Sequence, residues 1–200
     1  QVFVDARAEG DVTNDTMEVL MVVEKQGASA EAIARQVNEA MQWALDRSRD
    51  YKAVEAGTGS YQTRPLYKDR LITGWRVSQQ LHLKSSEIAR LTELAGVLQE
   101  RLQVQQMNFL PSKQARVTRE NELINEAMEV FKQRVEIIKG HMEGKNYRIV
   151  DLHVSTGQGV PPMHRERMAT MAVMGAGAAP AVEAGTSKVV VTVSGSVQFF

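Results

Sequence analysis

The chain has 200 residues, 43% of them apolar and 24% charged, values of an ordinary globular protein that exclude a disordered or collagen-like chain. Basic and acidic residues both number 24, so the formal net charge is zero, and without a basic arm no nucleic-acid partner is expected. There is no cysteine, which removes disulfides, thiolate metal sites and cysteine nucleophiles. No apolar run reaches the length of about eighteen residues that a membrane span needs.

Residues 2–9 and 12–24 read as strands. In the second, Met17, Val19, Met21 and Val23 share a face. Gly10-Asp11 between them carries the chemistry of a hairpin turn. Ser29 is placed to cap a helix whose stripe is Ala30, Ile33, Val37, Ala40, Met41 and Ala44. A GTGS loop at 57–60 precedes a strand at 61–67, and Lys68-Asp69-Arg70 makes the next turn. The following strand alternates most clearly, with Trp75, Val77, Leu81 and Leu83 against Arg76, Ser78, Gln80, His82 and Lys84.

Ser85 or Ser86 is expected to cap a second helix with the stripe Ile88, Leu91, Ala95, Leu98 and Leu102. A strand runs from Val104 to Leu110, where Pro111 stops it. Residues 12–110 thus spell the β-α-β-β-α-β order of a ferredoxin-like unit. Ser112 caps a third helix over about 114–143, with Val117, Ile124, Met128, Phe131, Val135, Ile138 and Met142 on its stripe. That rhythm fits both a short coiled coil and packing on a sheet. A strand at 147–154 follows, then a flexible Gly/Pro/Met-rich loop at 155–187. The last strand, 188–200, has Val189, Val191, Val193, Val197 and Phe199 on one face and Gly195 at a bulge or close backbone contact.

The fold class expected is α+β in a single domain over 1–200: an antiparallel sheet with three helices, comprising the ferredoxin-like unit plus a C-terminal helix and strands. The tail strand is expected to join the same sheet.

In order along the chain, these pieces resemble the SIMPL-domain family of bacterial envelope proteins. The resemblance rests on GASAEAIARQVNEAMQWAL after the first strands, on YKDRLITGWRVSQQLHLKSSEIARLTEL in the centre, and on GVPPM at 159–163 with the long strand after EAGTSKVVVTV. One departure is the third helix, rich here in Glu, Arg, Asn and bulky apolar residues where relatives are alanine-rich. The resemblance implies a periplasmic or secreted protein, with any signal peptide already removed, that forms homo-oligomers and acts in oxidative-stress defence. It brings no catalytic residues, so no enzyme activity and no cofactor are expected.

The residues themselves offer little chemistry. His82, His141, His153 and His164 lack metal-ligand spacing, and no G-x-S-x-G elbow or phosphate-binding glycine loop is present. Tyr61, Tyr67 and Trp75 could stack a ligand ring, but cross-strand packing is the expected role. Glu120, Glu122, Glu126 and Glu129 beside Arg116, Arg119 and Lys132 read as a solvated face. The unusual composition is Met163, Met168, Met171 and Met174 with His164, a set able to pack adaptably, take up oxidant or bind Cu(I). Subunit contact or disorder is expected of the 155–187 loop, with soft-metal or small-molecule binding as the alternative, and the candidate contacts are Met168, Met171 and Met174 together with Val189, Val191 and Phe199 on the terminal strand.

Overall fold

The computed structural model describes residues 1–142, 146–158 and 184–200. In chain order these form β1 (Val2–Thr13), β2 (Thr16–Gly27), α1 (Ala30–Ser48), β3 (Glu55–Lys68), β4 (Leu71–Ser85), α2 (Ile88–Leu98), β5 (Gln103–Leu110), α3 (Lys113–Lys139), β6 (Tyr147–Gln158) and β7 (Thr186–Phe199). The class is α+β, as expected. The strands build two antiparallel sheets rather than one, ordered β1-β7-β6 and β3-β4-β2-β5. The described chain divides accordingly into two compact units, one of Asp15–Leu110 and one of Gln1–Asn14, residues 111–158 and Gly185–Phe200.

The first unit is the expected ferredoxin-like arrangement. β2 lies between β4 and β5, antiparallel to both, and β3 lies outside β4. Local sequence explains its elements. The Ser29 hydroxyl accepts the Ala32 N–H at 3.3 Å and starts α1. Asp69 and Arg70 both have positive φ, so the β3–β4 hairpin closes on a two-residue turn of the kind that matches strand twist. Ser85 accepts the Glu87 N–H just before α2. Met17, Val19, Met21 and Val23 of β2 and Val77, Leu81 and Leu83 of β4 are buried against the stripes of α1 and α2, with Trp75 half-buried beside them. Both helices cover one face of the sheet. Leu94 joins the α2 stripe beyond the residues expected.

In the second unit the chain's two ends are zipped together. β1 pairs with β7 from Val2↔Val197 to Thr13↔Thr186. The expected hairpin at Gly10-Asp11 does not form. Gly10 continues the strand opposite Val189, and the Arg119 guanidinium fills the space its missing side chain leaves. The tail strand likewise joins β1 and β6, not the ferredoxin-like sheet.

Helix α3, capped by Ser112 as expected, packs on β1 and β7 through Leu123, Ala127, Phe131 and Val135. These fall at every fourth residue, so the seam is that of a helix lying on a sheet. Of the expected stripe, Val117 and Met142 are exposed. Arg134 donates to the Asp5 carbonyl and so ties the helix to β1 a second time.

Gly195 sits where β6 bulges between Ile149 and Asp151. A Cβ there would lie 2.4 Å from the Asp151 carbonyl oxygen, whereas one at Gly157 would meet nothing within 4 Å. Gly195→Ala is therefore expected to destabilise this unit by ~1–3 kcal/mol, the usual range for overpacking, while Gly157→Ala changes it little. Urea denaturation followed by circular dichroism compares the two. Phe131→Ala, which empties the centre of the α3 seam, is expected to cost roughly 3–5 kcal/mol in the same assay.

Candidate functional site

Three surfaces are candidates. The first is the face of the ferredoxin-like sheet opposite α1 and α2. Alternation along β4 sends His82, Lys84 and Gln80 to this face, and the register sets them beside Leu20, Glu18 and Val22 of β2. Opposite His82 on the other side lies Gly57. At Gly59 a Cβ would come within 2.5 Å of the His82 Nε2 atom, so this glycine gives the imidazole its place. The result is an open bowl of about 520 Å³ lined by Glu18, Leu20, Glu55, Gly57, His82 and Lys84.

Its charges answer one another. Lys84 Nζ lies 2.9 Å from Glu18 Oε1, and that hydrogen bond and charge raise the lysine pKa above its ordinary value. Beside the bowl, Ser60 donates to Gln80 Oε1 at 2.9 Å and Gln80 donates to Gln105 Oε1 at 3.4 Å. The face offers hydrogen bonds from amides and an imidazole. A second hollow, of about 500 Å³, holds Arg47, Tyr51, Arg90 and Glu93 near the C-terminal end of α1. The Tyr51 hydroxyl donates to Glu93 at 3.3 Å. Burial raises its pKa first, and the Glu93 charge and hydrogen bond add to that.

The second surface is the β3–β4 arm. β2 stops opposite Trp75, but β3 and β4 continue through Leu66↔Gly74 to Lys68↔Leu71. This two-stranded extension carries Tyr67, Leu71 and Ile72, with Leu71 71% exposed. Tyr61, Tyr67 and Trp75 do not pack on one another. Trp75 stands opposite Pro65 and turns to the core, Tyr67 stands opposite Ile72, and Tyr61 stands opposite Gln79. The ring pair among the described residues is Tyr147 with Phe199, 6.1 Å between centroids.

The third is the β6 edge. β6 pairs with β7 alone among the described strands. Ile149, Val150, Leu152 and Val154 remain between 39% and 51% exposed. Asp151 is held by Ser196, whose N–H donates to Oδ1 at 2.8 Å and whose hydroxyl donates to the same oxygen. Those two bonds lower the Asp151 pKa below the usual carboxylate value, the hydroxyl contributing most.

The residues expected to meet a second subunit are placed differently. Val189 and Val191 are 3% and 0% exposed, packed in the core beneath α3, and Phe199 is half-buried beside Tyr147. β7 is the central strand, so both its edges are already paired. Met163, His164, Met168, Met171 and Met174 lie outside the described residues. His82 faces the bowl, His141 ends α3 with Nδ1 2.9 Å from the Ile137 carbonyl, and His153 stands exposed on β6. Among the described residues no group of three or more His, Asp or Glu is placed to hold a metal ion, and no helix is long and apolar enough to cross a membrane. Sequence reasoning read 147–154 as a strand and gave it no role. Only the pairing order shows that, among the described residues, no helix or second strand covers its aliphatic side chains.

Residues 2–197 match the family described as SIMPL, protein of unknown function (DUF541). The chain belongs to the SIMPL family. A comparison with curated proteins finds no match. Among solved structures, a crystal structure described as an amidohydrolase/peptidase from Burkholderia cenocepacia is similar at 14% identity, with a TM-score of 0.31. The similarity covers 52% of this chain and 28% of that one. The SIMPL chain thus spans little more than a quarter of that protein, and so slight a likeness carries no argument about activity.

In this SIMPL protein the Asp151–Ser196 contact has a definite pH signature. A carboxylate whose folded pKa is depressed contributes stability above its unfolded pKa of about 3.9 and loses it as pH falls through the folded value. A carboxyl ¹³C titration is expected to place Asp151 below the ordinary aspartate value. Ser196→Ala is expected to move it back up, because the hydroxyl donor is gone and the backbone donor remains.

Proposed function

We propose that this SIMPL protein acts by self-association in the bacterial envelope, as a periplasmic or secreted homo-oligomer serving oxidative-stress defence without catalysing a reaction. The observation that supports assembly is the β3–β4 arm. A two-stranded ribbon extending past its sheet has little stability of its own, and this one exposes Tyr67, Leu71 and Ile72 at its end. Large apolar side chains grouped on a projecting element mark an interaction surface. The envelope location and the stress role draw their support from the resemblance to envelope proteins of the family.

Light scattering coupled to size separation tests the reading. At tens of micromolar the wild type is expected to run as a multiple of 22.2 kDa. The double variant Leu71→Asp/Ile72→Asp is expected to dissociate at a concentration at least about tenfold higher, a change of ~1.4 kcal/mol. A wild type that stays at the monomer mass overturns the proposal.

A further inference from the structure

Sheet edges are normally blunted by proline, lysine, inward charge, a β-bulge or short length. Both edges of the three-stranded sheet are 12 residues long without proline or lysine, but β1 carries four charged side chains and β6 two. β1 sends Asp5, Arg7, Glu9 and Asp11 to the face opposite α3, where Arg7 and Lys188 pair with Glu9. β6 runs for 12 residues with neither proline nor lysine, and its one irregularity is the bulge between Ile149 and Asp151. Leu152 and Val154 stand opposite Gly195 and Val193 and so share the helix side of the sheet. Helix α3 rests mainly on β1 and β7, which leaves both side chains about two-fifths exposed.

The centre of β6 is symmetric in chemical kind. Around Leu152 the sequence reads Val150-Asp151-Leu152-His153-Val154. An antiparallel copy related by a two-fold axis through Leu152 brings Leu152 against itself and Asp151 against His153, the unlike pair occurring twice, while Val154 falls opposite the bulge at Val150. A carboxylate then meets an imidazole on the outer face, and Leu152 meets Leu152 on the helix side. Both Ser196 bonds to Asp151 end on Oδ1. Opposite charges or matched apolar groups directly across a strand pair stabilise it, and like charges destabilise it.

We infer that β6 is a pairing edge for the β6 strand of a second copy of this chain, in antiparallel register centred on Leu152. This specifies one contact of the self-association proposed above and rests on that reading. The pairing joins two three-stranded sheets into one of six strands. The two-fold axis is perpendicular to the sheet, so both α3 helices lie on the same face. The half-exposed Leu152 and Val154 of each copy then form one continuous apolar stripe.

Because the chain has no cysteine, single thiols report the register. In this pairing Leu152 meets its own counterpart, with Cβ atoms about 4.5–5.5 Å apart, close to disulfide reach. The two Val154 positions are four residues apart along the paired strands, roughly 13 Å, which is beyond it. Under mild oxidation the full-length Leu152→Cys variant is expected to form a covalent dimer on a non-reducing gel, and Val154→Cys is expected to stay uncrosslinked. Circular dichroism confirms that both are folded. His153→Glu sets like charges across the pair and is expected to weaken dimerisation at least tenfold by light scattering. Equal crosslinking of both cysteine variants overturns the inference. So does the absence of crosslinking in Leu152→Cys while the wild type remains oligomeric, and in that case self-association itself stands. A monomeric wild type removes both.

Discussion

The pairing of the first strand with the last governs the second unit. β1 and β7 come from opposite ends of the chain and match rung for rung over 12 residues. Closing so long a loop is entropically costly, and the ladder recovers that cost only if its register is right. A slip of one residue would turn Val189, Val191, Val193 and Val197 away from α3 and present Val190, Thr192 and Ser194 instead. Two fixed points resist the slip. Gly10 lies under the Arg119 guanidinium, and Gly195 lies against the Asp151 carbonyl. A side chain other than glycine entering either place meets atoms already there.

The same constraint sets what remains exposed. Once β7 is flanked by β1 and β6, its valines belong to the core and its backbone is fully engaged. One helix lying over β1 and β7 cannot also cover β6. The ferredoxin-like unit differs in this respect, because two helices roof one face of its four strands. Among the described residues, the exposure of Ile149, Leu152 and Val154 goes with a single helix that rests mainly on β1 and β7. It is a property of the sheet's composition, not of any unusual residue in β6.

Much of the ferredoxin-like unit is legible in the sequence because its signals are local. The alternation from Trp75 to Lys84 fixes a strand and its buried face. Ser29 and Ser112 mark helix starts, and Asp69-Arg70 marks a turn. The second unit is less legible because its pairing is non-local. Gly10-Asp11 has the chemistry of a hairpin turn, and nothing within ten residues reveals that Gly10 is small in order to admit an arginine from α3. The α3 seam was half visible. Phe131 and Val135 stand out as bulky, but Ala127 does not, and Val117 and Met142 match the period while facing water. Alternation cannot separate a central strand from an edge strand, which is why β7 rather than β6 suggested itself as the contact surface.

Interaction surfaces are hard to read for the same reason that enzyme sites can be easy. A catalytic group announces itself by residue type, as a cysteine, a histidine pair or a glycine loop would. An assembly surface is made of the residues that also build cores, and only their placement tells the two apart. Leu152 and Val193 are both aliphatic residues on strands, and Val154 stands directly across from Val193. One is two-fifths exposed and the other fully buried, and the difference is the position of α3. Among the described residues the bowl's charges answer one another and aliphatic side chains stand exposed on an arm and an edge, and the proposal of association between copies rests on that placement.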